Sequence, residues 1–286
     1  MPRVTIMQGR LLPSTPGKFQ CFPRDNWHDE FVAASAVGLD GIEWIYDSHG
    51  VGANPLETEP GVECLKGLQG RHGVGVFSLC ADYFMDWPLL RVPDEHRSER
   101  LERLIWLLGR CGRLAIQRVV LPFVDASRIE TAGDVDIVVE CIQRVLPTAM
   151  ANHVELHLET ALGPAEFAAL LERLNHPLVK VNYDSGNSAS LGYRPHDEFQ
   201  AYGSRVGSVH IKDRVRDGGT VPLGTGSTDF AALGECLKAI GYQGDFVLQA
   251  ARGEPNGEVP WARKNRQFVL DWWRTTPTAD ARSKVT

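Results

Sequence analysis

Short apolar runs that stop abruptly at a polar residue recur along this chain, and stretches with helical spacing separate them. Val154-Glu155-Leu156-His157-Leu158-Glu159 stops at a carboxylate, and Val179-Lys180-Val181-Asn182-Tyr183-Asp184 stops at another. Gly207-Ser208-Val209-His210-Ile211-Lys212-Asp213 closes on a histidine, a lysine and an acid, while Asp245-Phe246-Val247-Leu248-Gln249 closes on an amide. Runs of this length and composition predict strands buried on at least one face. Val4–Met7, Gly41–Ile45, 75–79 and 118–121 read as four earlier strands. Apolar positions spaced by three and four predict helices over 27–37 (stopped by Gly38), Glu59–His72, 95–111 and Ala132–Ala151. Further helices are predicted from Gly163-Pro164 onward, where proline suits a first turn, and over 196–202, 229–240 and 261–273.

Strands and helices in strict alternation predict the α/β class and, with eight strands, a closed (β/α)8 barrel of the TIM type with helices outside. A doubly wound open sheet would carry a phosphate-binding glycine fingerprint after an early strand, and Gly73-Val74-Gly75 matches it poorly. No linker, repeat or low-complexity stretch marks a second domain. The expected organisation is one catalytic barrel over residues 1–275, with a flexible tail over 276–286. Arg274 onward is polar and lacks periodicity, so fraying is expected to begin there.

Composition adjusts this picture only slightly. A length of 286 residues suits one such barrel, and 43% hydrophobic with 23% charged residues is ordinary for a globular enzyme. A net charge of −6 argues against nucleic acid or an anionic membrane as the main partner. Six scattered cysteines without a Cys-x-x-Cys pair read as reduced, mostly buried thiols. With no signal-like or membrane-spanning apolar run, a cytoplasmic location is expected. The association state is left open, a homo-oligomer included.

Barrel strands converge at their carboxyl ends on one mouth, where active sites are built. Singly, the three strand-end groups have ordinary alternatives: a surface acid for Glu159, a turn for Asp184-Ser185-Gly186-Asn187, a structural imidazole for His210. Together on three successive strands they make the donor set for one divalent ion: Mn²⁺, Mg²⁺, Co²⁺ or Zn²⁺. Gln249 is either a neutral fourth ligand or a polar residue lining the mouth, and an amide cannot act as a general base. Gln8, Arg10, Glu43, Asp82, Asn187, Lys212, Asp213 and Arg216 lie where contacts to a substrate are expected. His157 shares Glu159's parity and is expected at the substrate or one layer below it. Trp44 and Trp87 are read as apolar walls or core.

These residues bring a resemblance into view. The chain resembles the xylose-isomerase-like barrel superfamily of sugar and sugar-phosphate isomerases and epimerases, nearest the L-ribulose/L-xylulose 5-phosphate 3-epimerase branch. The likeness runs through Ile6-Met7-Gln8-Gly9-Arg10-Leu11, Gly41-Ile42-Glu43-Trp44-Ile45 and Cys80-Ala81-Asp82-Tyr83-Phe84-Met85. It continues in Asp184-Ser185-Gly186-Asn187, His210-Ile211-Lys212-Asp213 and Gly224-Thr225-Gly226-Ser227-Thr228-Asp229-Phe230. In that family a Glu, an Asp, a His and a second Glu hold one divalent metal, and the two glutamates act as opposed acid and base. The resemblance places the first three on Glu159, Asp184 and His210. The fourth falls on Gln249, which departs from the pattern.

The implied activity is metal-dependent isomerisation or epimerisation of a sugar, sugar phosphate or related polyol ketone. Glu159 would abstract a proton beside a carbonyl to leave an enediolate. The alternatives are a one-base lyase or dehydratase and a sugar-binding homologue without turnover. A nuclease is disfavoured by the acidic balance.

Overall fold

The computed structural model describes residues 2–277. Eight parallel strands close a barrel: β1 (Val4–Met7), β2 (Gly41–Ile45), β3 (Gly75–Cys80), β4 (Arg118–Phe123), β5 (Glu155–Thr160), β6 (Val179–Asp184), β7 (Val206–Ile211) and, after a two-stranded ribbon of β8 (Asp213–Arg214) and β9 (Thr220–Val221), β10 (Phe246–Leu248), which pairs with both β7 and β1. The order follows the chain because each crossover carries the next strand to its neighbour's side. The α/β barrel expected from the alternation is therefore the observed fold.

Helices α1 (Asp29–Val37), α2 (Glu59–His72), a short α3 (Tyr83–Asp86), α4 (Asp94–Arg113), α5 (Ala132–Ala151) and α6 (Pro164–Arg173) are followed by α7 (Ser185–Leu191), α8 (Pro195–Tyr202), α9 (Phe230–Ala239) and α10 (Glu258–Thr275). α4 shows why such sequences become the outer layer. Leu101, Leu104, Leu107, Leu108 and Cys111 are buried on one face, with Asp94 and Glu95 in the first turn and Arg110 and Arg113 in the last, matching the helix dipole. In α5 the Thr131 hydroxyl and the Asp134 carboxylate form a reciprocal capping box.

On β5, β6 and β7 alternate residues separate two environments. Leu156, Leu158, Val181, Tyr183, Val209 and Ile211 belong to the apolar core. Of the intervening residues, His157, Ser208, Asn182 and Glu159 form a hydrogen-bonded chain along the barrel axis, and His210 faces Glu159 and Asp184 above it. At the opposite end of the axis, Asp245 pairs with Arg118 and, at 2.6 Å, with Arg3.

Three local differences from the sequence expectation stand out. α3, α7 and the β8–β9 ribbon were not predicted, because each is too short for apolar periodicity. α1 starts at Asp29 rather than 27. α10 continues through Arg274 and Thr275, and Thr276 is buried, so the chain is still packed where fraying was expected. Residues 278–286 of the expected tail lie outside the described residues. All six cysteines are free, and Cys64 alone of them is exposed. Among the described residues no helix is long and apolar enough to cross a membrane.

Candidate active site

Strand register delivers the key groups to one level: Asp184 on β6 pairs with His210 on β7, and Pro122 on β4 with Glu159 on β5. Glu159, Asp184 and His210 are buried, and one ligand atom from each lies within 4.8 Å of the others. His210 Nδ1 is 3.3 Å from Glu159 Oε2 and 4.0 Å from Asp184 Oδ2, yet makes no hydrogen bond. Its Nε2 is 2.6 Å from Glu43 Oε1. The ring is thus held from behind by a carboxylate, and its free nitrogen faces two more, the geometry of a metal-ligating histidine with its supporting acid. The hard and borderline donors around it fit a divalent cation.

Asp184 divides its oxygens between fold and site. As N-cap of α7 its Oδ1 accepts from the backbone N–H groups of Gly186 and Asn187 at 2.9 and 2.8 Å. Oδ2 is left for the cluster and for Lys212 Nζ at 3.3 Å. Gly186 makes that approach feasible, since a Cβ there would sit 2.7 Å from Lys212 Cγ.

Glu159 accepts from Asn182 Nδ2 on Oε2 and from Asn187 Nδ2 on Oε1, both at 2.8 Å. Burial disfavours its charge, but His210, Lys212 and the Asn182 amide outweigh that and hold the carboxyl below its usual range. Burial likewise opposes charge on His210, while Glu43 and Glu159 on either side raise its pKa well above the ordinary value. Below Glu159 the contacts continue down the axis. Asn182 Oδ1 accepts from Ser208 Oγ at 2.6 Å, Ser208 Oγ lies 2.7 Å from His157 Nδ1, and His157 Nε2 lies 2.8 Å from Glu155.

The other side of the mouth is built from amides. Gln249 Oε1 accepts from Lys212 Nζ at 3.3 Å, and its Nε2 donates to Gln20 Oε1 at 3.2 Å. Gln20, in the loop after β1, also accepts from Arg10 Nη2 at 3.1 Å and donates to Asp82 Oδ2 at 2.7 Å. A cavity of about 310 Å³ opens between the two sides, lined by Gln20, Asp82, Glu159, Asn187, Lys212, Arg214 and Gln249 among others.

Of the residues singled out in the sequence, Glu159, Asp82, Asn187, Lys212 and Gln249 line this cavity, and Asp184 and His210 sit beside it. The rest are placed elsewhere. Gln8 is fully buried in the barrel wall, its Oε1 accepting from the Ile45 N–H. Glu43 is buried behind His210, and His157 lies one layer beneath Glu159. Arg10 lines a separate cavity of about 180 Å³ and stacks on Phe19. Asp213 is spent on the following loop, accepting from the N–H groups of Gly224, Gly226 and Thr228. Arg216 points to solvent against Gly192, and Arg214 is the arginine at the cavity, with Nη1 on Asn187 Oδ1 at 2.9 Å. Trp44 is core, and Trp87 is half exposed. Gln20 was missed: a lone amide in an aperiodic loop carries no signal until the loop folds over Gln249.

Comparison with known proteins agrees with this architecture. The family model described as xylose isomerase-like TIM barrel matches residues 31–272, and the chain belongs to that family. The chain is 24% identical over 256 residues to an L-ribulose-5-phosphate 3-epimerase of Escherichia coli O157:H7 strain EC4115, covering 83% of this chain and 87% of the relative. A crystal structure of D-allulose 3-epimerase from Methylomonas sp. in complex with D-allulose superimposes with a TM-score of 0.72 at 16% identity, over 95% of this chain and 98% of the other. A structure described as IOLI protein with a bound zinc atom gives 0.76 at 16% identity, over 95% and 98%.

Proposed function

We propose that this member of the xylose isomerase-like barrel family is a divalent-metal-dependent isomerase or epimerase of a sugar or sugar phosphate. The observation that carries the proposal is the buried Glu159–Asp184–His210 cluster, in which His210 Nδ1 faces both carboxylates while Glu43 holds its other nitrogen. These three residues would hold the ion, with the Gln249 carbonyl as a neutral neighbour. An ion bound there supplies Lewis-acid stabilisation of the charge that develops on a substrate carbonyl and its adjacent hydroxyl. Glu159 is the base: two amide donors orient it, and it is ionised at neutral pH. Lys212, shared by Asp184 and Gln249, and Arg214, attached to Asn187, give the cavity two cations suited to hydroxyls or a phosphate. The relatives named as L-ribulose-5-phosphate and D-allulose 3-epimerases support a ketose as substrate class.

The amide at position 249 favours a second reading, in which Glu159 works as the sole base in an aldose–ketose isomerisation or a β-elimination. One experiment addresses both. The protein is incubated with Mn²⁺ and a panel of free and phosphorylated ketoses in D₂O, and the products are followed by NMR. Deuterium at the carbon beside the carbonyl is the expected result, and the product formed distinguishes epimer, aldose and dehydrated ketone. Ligand-dependent thermal stabilisation without exchange for any sugar would instead mark a binding protein.

A further inference from the structure

Gln249 cannot give or take a proton, so two-face chemistry needs another acid within the same cavity. Asp82 is placed for it. It follows β3, is 7% exposed, and lines the cavity together with Glu159 and Gln249. Its Oδ2 accepts from Gln20 Nε2 at 2.7 Å, and the same Gln20 accepts from Gln249 Nε2 at 3.2 Å. One side-chain amide therefore separates the Asp82 carboxyl from the position that lacks one. Lys212 also touches Gln249, but it is shared with Asp184 on the β6–β7 side, next to Glu159's own strand. Asp82 approaches from β3 and reaches β10 through the β1 loop.

We propose that Asp82 is the second acid–base group of the site, serving the face of the substrate carbon that Glu159 does not reach. This rests on the isomerase–epimerase reading and commits it to epimerisation. Glu159 removes the proton from carbon, and the C–H electron pair moves into the carbonyl to give an enediolate. Protonated Asp82 then delivers its proton to the opposite face while the enediolate electrons form the new C–H bond and the carbonyl returns. The enzyme is left with Glu159 protonated and Asp82 ionised, and proton exchange with water in the open cavity resets both.

The surroundings of Asp82 suit that role. Burial, opposed by the Gln20 amide and Cys80 thiol and aided by the charges of Asp47 and Glu159, raises its pKa to about 6. Burial and Arg252 lower the pKa of Arg10 to about 9, and Asp82, linked to it through Gln20, opposes that shift. A carboxyl titrating there holds its proton in a useful fraction of molecules near neutrality.

The test compares deuterium wash-in with epimer formation, using the Mn²⁺-loaded protein, the same ketose panel and D₂O. In the wild type both should occur. Asp82→Asn should keep wash-in on the Glu159 face while epimer formation falls by ~10²-fold or more. Glu159→Gln should lose both. Adding Gln249→Glu to Asp82→Asn should restore the epimer, a rescue that a damaged fold would not allow. In the metal-free protein, carboxyl-carbon NMR should show a group titrating near 6 that Asp82→Asn lacks. The proposal is overturned if Asp82→Asn epimerises at the wild-type rate, or if both signals fall together without rescue. A wild type that exchanges with no sugar would overturn the enzyme reading itself, and this inference with it.

Discussion

The two sides of the cavity are made differently. On the β5–β7 side the three clustered groups come from the last residues of their strands, and each is held by at least one further residue: Glu159 by two amides, Asp184 by a helix N-terminus, His210 by Glu43. On the β1–β3–β10 side the contacts run through a loop glutamine, and Gln249 supplies a neutral amide rather than a charge. On the proposed reading the first side would bind a cation and keep a base ionised, and the second would position a substrate and, with Asp82, hand over a proton. Pre-organisation by strands suits charge, because misplacing a buried charge costs several kcal/mol, whereas loop amides tolerate adjustment.

This contrast breaks most severely at Glu159. Glu159→Gln preserves the shape but removes the proposed base, and steady-state turnover should fall by ~10²–10⁴-fold. Next comes the support behind the histidine. Glu43→Gln should weaken Mn²⁺ binding by ~10–100-fold in calorimetric titration, although Glu43 does not touch the cavity. Ser208→Ala would leave Asn182 Oδ1 and His157 Nδ1 without their partner, and urea unfolding should show a loss of about 1–3 kcal/mol. The smallest effects sharpen the boundary of the site. Arg214→Ala should raise KM by about tenfold, roughly one hydrogen bond near a charge, while Arg216→Ala should leave turnover and KM unchanged.

The same contrast explains how far the sequence could be read. Strand ends announce themselves, because a run such as Val179–Asp184 alternates apolar with polar residues and stops at an acid at the mouth, so the barrel and its Glu–Asp–His set were legible without coordinates. Parity also placed His157 on Glu159's side of β5. The loops offered no such signal. Arg214 and Arg216 share parity and composition, and only the folded ribbon shows that one reaches Asn187 while the other lies over Gly192. Gln8 and Asp213 lie just beyond strand ends yet are consumed by the fold. Gln8 replaces a backbone partner for Ile45, and Asp213 gathers three N–H groups of the Gly224–Thr228 loop. Which polar strand-end residue faces the cavity and which is used up in the wall depends on neighbours brought from afar.

The central claim is that Glu159, Asp184 and His210 share one cation, and titration with Mn²⁺ tests it most directly. The wild type should bind one equivalent per chain, and Asp184→Asn and His210→Ala should each weaken that binding by ~10-fold or more, since each removes a ligand or a neutralising charge. No saturable binding by the wild type, or unchanged binding in both variants, would contradict the account.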